Sequence, residues 1–203
     1  KTLVAPISKE DTMSTQKEVQ STPVRKIVIA GVMGALAIFL GWTHLGFIPW
    51  LAGAALTIIH VPVIIGAVLE GPVVGTAIGL IFGLFSLLQA VLAPTGPVDV
   101  WFQNPIISVL PRLFIGVVAW LSYRALKKLN EPLALTVAGV LGSLTNTVLV
   151  LGAIGLLKHM PWAALPPIAI SNGLPEAALA AILTVAVVVA WKRIETGRRK
   201  SRI

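Results

Sequence analysis

The sequence predicts an all-α, polytopic membrane protein: a bundle of six transmembrane helices with both termini cytoplasmic. Three observations carry this reading. Of 203 residues, 56% are apolar and 12% charged, with a mean hydropathy of +0.90, whereas a soluble domain carries about 25% charged residues. Apolar stretches suited to a bilayer alternate with polar or Pro-rich connections. Fourteen of the sixteen lysines and arginines gather at the ends of those stretches or in the tails, five in residues 1–26, three in 124–131 and six after Trp191, leaving Lys158 on the opposite side and Arg112 inside. The positive-inside rule then makes both termini cytoplasmic and the connections 43–56, 93–104 and 158–167 external. The same distribution assigns the formal charge of +8 to topology rather than to nucleic acid. With no cysteine, a disulfide framework, a thiolate nucleophile and a Cys-based metal site are all excluded.

Three regions follow: a polar tail over 1–24, a membrane domain over 25–195 and a basic tail over 196–203. The first tail has no apolar core of signal-peptide length, and the last suits anionic lipid headgroups. The first span, about 27–42, ends in Trp42 at an interface. Within it Ala30 and Gly34, and Gly31 and Ala35, form two overlapping small-xxx-small pairs. They serve either packing within the chain or docking of another membrane subunit.

Residues 43–56 are broken by His44, Gly46, Pro49, Trp50 and Gly53, and suit a cap over the bundle better than a span. The second span, about 58–69, falls short of the roughly 20 residues a bilayer needs. His60 and Pro62 sit at its entry, and irregular backbone at that depth belongs against protein or a polar cavity. The third span, about 72–92, follows Glu70-Gly71-Pro72, where Glu70 reads as a solvated turn residue. Gly71, Gly75, Gly79 and Gly83 stack along one face for roughly 18 Å. Glycine costs about 1 kcal/mol per helical position against alanine in water, so close helix approach must compensate.

Gln89 lies near the far end of that span. The loop 93–104 contains Asp99, Trp101, Gln103 and Asn104, and the fourth span, about 105–124, contains Pro111-Arg112. The fifth, about 133–157, carries Ser143-Leu144-Thr145-Asn146-Thr147 near its middle. The sixth, about 168–191, carries Asn172, Pro175 and Glu176 early.

In this topology His60, Gln89, Asn104, Arg112, Asn172 and Glu176 all fall at or below the external ends of their helices, with Asn146 nearer the middle. Polar groups within spans face the bundle interior, so together they suggest one pocket open to the outside. Arg112 lies roughly 10 Å below the external start of its span, and Glu176 is at similar depth. Arg112 therefore either neutralises Glu176 or binds an anionic ligand. The Thr145-Asn146-Thr147 run either bonds neighbouring helices or contacts ligand, and His60 is either a helix-end group or a ligand or metal residue. There is no G-x-x-x-x-G-K-[ST] phosphate loop, no H-E-x-x-H and no G-x-S-x-G, and no convincing internal repeat.

Taken in order, His60-Val61-Pro62-Val63-Ile64-Ile65-Gly66-Ala67, the Gly-Pro and glycine stripe, Pro111-Arg112 and Gly142-Ser143-Leu144-Thr145-Asn146-Thr147 resemble the substrate-binding, or S, components of energy-coupling factor (ECF) transporters. The resemblance spans about 25–195 and sits in the branch of pantothenate, pyridoxine-type and cobalamin S components. It implies a six-helix protein that binds a water-soluble vitamin in an external pocket capped by the first loop. Arg112, able to pair with a carboxylate, favours pantothenate, whereas an Arg112 neutralised by Glu176 suits an uncharged vitamin as well. The resemblance further implies a transmembrane coupling subunit and two ATPases that consume the ATP, this chain holding no cofactor or metal of its own. The loaded component then topples in the membrane to release its ligand inward. Arg112, Asn146, Asn172 and Glu176 are the expected ligand contacts, with His60, Gln89 and Asn104 around them. Ala30, Gly31, Gly34 and Ala35 match the family's small-residue docking motif, with glycines where alanines are usual. Two rival readings remain, an intramembrane enzyme using His60 or Glu176 as base and a non-binding packing subunit of another membrane complex.

Overall fold

The computed structural model describes residues 23–49, 55–94 and 96–200. Nearly all of the polar N-terminal tail, with Trp50, Gly53 and the last three residues, lies outside them. Among the described residues five helical segments are long and apolar enough to cross a membrane, and a shorter apolar helix accompanies them.

Helix α1 (Pro23–Trp42) leads into an antiparallel pair of strands, β1 (Phe47–Pro49) and β2 (Ala55–Thr57), with Ile48 opposite Leu56. This ribbon is a departure from the all-α expectation, and it occupies the segment read as a cap. Helix α2 (Val61–Glu70) is the short one. Pro62 in its first turn gives up an N–H that has no intrahelical partner there in any case. Gly71, at φ +99°, turns the chain, and Pro72 starts α3 (Pro72–Leu92). That left-handed backbone is one that glycine adopts without a Cβ penalty.

The next span runs from Pro105 to Leu126 in two pieces, α4 (Pro105–Ser108) and α5 (Leu110–Leu126), with Val109 at the break. Asn104 caps α4 by accepting the Ile106 N–H at 2.9 Å. Asn130 does the same for Leu133 at the start of α6 (Glu131–Leu156), at 3.0 Å. The final span begins with α7 (Leu165–Ile168), passes through a π-helical turn over Ala169–Gly173, and continues as α8 (Leu174–Lys200).

The glycine stripe of α3 is consumed against α5. A Cβ on Gly75 would lie 2.9 Å from the Gly116 Cα, and one on Gly79 would run into the Arg112 carbonyl. A Cβ on Gly83 would meet the Val109 Cα at 2.8 Å. The two helices therefore touch backbone to backbone from Gly75 to Gly83 of α3. Similar crossings set Gly139 of α6 on Ala181 of α8, and Gly142 of α6 on Ile64 of α2 and Ala119 of α5. Around them Ile64, Ile78, Ile115, Leu135 and Val188 form a fully buried apolar core.

Two ionic contacts clamp the end of the bundle opposite the ribbon. Arg25 of α1 pairs with Glu70 at 2.6 Å. Glu70, expected as a solvated turn residue, is instead buried there, because the sharp Gly71 turn folds the end of α2 against α1. Lys192 of α8 pairs with Glu131 of α6 and bonds the Tyr123 hydroxyl of α5 at 2.9 Å, tying three helices at one node.

Candidate functional site

The site begins with Pro111. Lacking an N–H, it leaves the Ile107 carbonyl four residues earlier without its helical donor. The neighbouring side chain fills the vacancy: Arg112 Nη1 donates to the Ile107 carbonyl. The guanidinium is flanked by the rings of Phe82 and Phe102, at 5.3 and 5.2 Å from their centroids. Arg112 is thus buried and held by one carbonyl and two aromatic faces, while its Nε has no hydrogen-bond partner among the described residues.

His60, at the head of α2, is fully buried with both ring nitrogens unpartnered. The Gly142–Ile64 contact sets the relative depth of α6 and α2. Asn146 and His60 each lie four residues from that contact toward the ribbon, so one helical turn puts them at the same level. Asn146 is buried and its Oδ1 has no partner. Buried polar atoms are almost always satisfied, and the His60 nitrogens and the Asn146 Oδ1, at one level, are exceptions within an apolar bundle.

Glu176 does something other than meet Arg112. Its Oε1 accepts the Thr57 N–H at 2.6 Å, joining α8 to the ribbon. Among the described residues no carboxylate lies within ion-pair distance of Arg112. Of the two readings of Arg112, neutralisation by Glu176 is therefore not the one the described residues adopt, since equal depth does not make two side chains face each other. Asn172 lies in the π turn, where Pro175 cannot donate back to the Ser171 carbonyl. It is half-buried, and its Oδ1 accepts from Ser171 at 3.4 Å. Gly173 beside it packs on Thr147 of α6.

Gln89 and Asn104 lie farther toward the ribbon end. Gln89 is half-buried, and the Asn104 side-chain oxygen is already occupied by its cap. Thr57, Phe82 and Phe102 hold the site together without having been singled out by the sequence reading. Gln103 joins them by donating to the Ala90 carbonyl at 3.0 Å. Trp101 stacks on His159 at 5.5 Å, clasping two outer loops beside Phe102. The small-residue pairs of α1 separate: Gly34 is buried against Ile81, while Gly31 and Ala35 are exposed and Ala30 is intermediate.

Residues 25–188 match the family model described as ECF transporter, substrate-specific component. The chain belongs to this family. The S component is similar to the pantothenic acid transporter PanT of Lactococcus lactis subsp. cremoris, at 35% identity over 66% of this chain and 76% of that protein. It is also similar to the pantothenate transporter PanT of Leuconostoc mesenteroides subsp. mesenteroides, at 35% identity over 56% of this chain and 58% of that protein. The family is one of transporter components rather than enzymes, and with several apolar spans this S component is a multi-pass membrane protein.

Proposed function

We propose that this S component captures pantothenate at the end of the bundle where the ribbon lies, and that this end faces outward with both termini cytoplasmic. The observation that carries the reading is Arg112: a buried guanidinium, fixed before any ligand arrives and without a carboxylate partner, in a chain similar to two transporters named for an anionic vitamin. A buried cation of this kind calls for an anion. His60 and Asn146 join it at the ligand, with Asn172 at the π turn and Gln89 and Asn104 at the mouth. Glu176 acts through the ribbon, holding the cap down over the bound molecule.

A transmembrane coupling subunit and two ATPases complete the transporter, the exposed Gly31 and Ala35 of α1 offering the coupling subunit a close approach. ATP turns over on the ATPases, and the S component topples to deliver its ligand inward. The test is titration of the purified full chain in mild detergent with pantothenate, followed by native mass spectrometry. One pantothenate bound per chain is the expected result, and no binding at millimolar concentration overturns the reading.

A further inference from the structure

The partnerless buried atoms are ordered along the bundle. At one end is the Arg112 Nε, then both nitrogens of His60 and the Asn146 Oδ1, and then the Ser143 Oγ, which is fully buried. Gly142 lies against Ala119, and Arg112 is seven residues outward of Ala119, so Arg112 and Ser143 are separated by roughly 9 Å along the helices. Thr184 and Trp191 also hold partnerless polar atoms, but they lie on the inward side of the Gly139–Ala181 crossing and do not extend this row.

The two ends of the row differ in kind. A guanidinium only donates, whereas a serine hydroxyl both donates and accepts and an amide oxygen accepts. Around the inner end the core contains Ile64, Ile115, Ala119 and Ala180, where an ionised carboxylate has no cation and is strongly disfavoured. Pantothenate is an extended acid with a carboxylate at one end and hydroxyls at the other. Its nine-atom backbone has about the length of three residues, roughly 10 Å.

Resting on the pantothenate reading above, we propose that the ligand lies along α6 with its carboxylate outward at Arg112 and His60 and its hydroxyl end inward at Asn146 and Ser143. Ser143 is then a specificity-determining residue, reading the primary hydroxyl.

The experiment is a coupling cycle on the purified full chain. Pantothenate, its analogue lacking the primary hydroxyl and its carboxamide analogue are titrated against wild type and Ser143→Ala. Wild type prefers pantothenate over the deoxy analogue by about tenfold, the worth of one hydrogen bond, and Ser143→Ala reduces that preference to within twofold. The carboxamide binds both proteins at least about a hundredfold more weakly than pantothenate, since the interaction lost is charged. Persistence of the tenfold preference in Ser143→Ala overturns the assignment, as does loss of carboxamide discrimination in that variant. Absence of pantothenate binding to wild type instead overturns the substrate reading itself. A second measurement needs no variant: a photoreactive diazirine replacing the geminal dimethyl group labels α6 near Ser143 in wild type. Labelling confined to the ribbon or to residues 99–104 overturns the orientation.

Discussion

Pro111 and Arg112 work as a unit, the first freeing the Ile107 carbonyl and the second occupying it. Pro111→Ala restores an N–H that competes for the same acceptor. We expect its thermal midpoint to be unchanged or raised, because proline is the poorer helix residue, while pantothenate affinity falls about tenfold as the guanidinium loses its anchor. Parallel melting and binding measurements check the opposite signs. Arg112→Lys keeps the charge but not the planar group between Phe82 and Phe102, and a titration should show affinity lower by about a hundredfold, the equivalent of about 2.7 kcal/mol. The sequence exposed Arg112, His60 and Asn146 readily, because such groups are out of place in apolar spans. Phe82 and Phe102 were invisible, since a phenylalanine in a span reads the same whether it faces lipid or a cation. The Glu176 partner was missed because depth along a helix says nothing of direction around it, and the Thr57 N–H is supplied by a strand no periodicity announces.

At the scale of helices, four-residue glycine spacing announced a close approach without naming the partner, which the structure identifies as α5. The same substitution should therefore have opposite effects at two sites. Gly79→Ala drives a methyl into the Arg112 carbonyl, costing on the order of 1–3 kcal/mol. Gly152→Ala meets nothing within 4 Å and should leave stability unchanged or raise it by up to about 1 kcal/mol. Thermal unfolding of the two variants in one detergent checks the contrast. The short α2 was legible from its length. Its ion pair with α1 was not, because Glu70 beside a Gly-Pro turn carries the composition of an exposed loop.

For the molecule as a whole, the absence of cysteine makes the proposed orientation directly measurable. Lys158→Cys should react with an impermeant maleimide added outside intact cells, and Lys128→Cys only after the membrane is opened; the reverse pattern inverts the topology. The ribbon and the bundle meet at Glu176, so Glu176→Ala should speed pantothenate dissociation about tenfold while changing association much less, and Glu176→Gln, which keeps an acceptor for Thr57, should do less. Stopped-flow release of bound ligand separates the two. Lysine and arginine placement assigns the ends by rule and awaits that labelling, whereas the ribbon could not be read from residues whose pairing is set by the bundle beneath them. The backbone contact of α3 with α5 has a consequence for how such a protein diversifies. No larger side chain can enter that seam without parting the helices, so it is closed to gradual change. Descendants acquiring a taste for another molecule must change side chains that leave the seam alone, such as Arg112, His60 or those of α6, the π turn and the ribbon, and the seam persists through such changes as an ancestral frame.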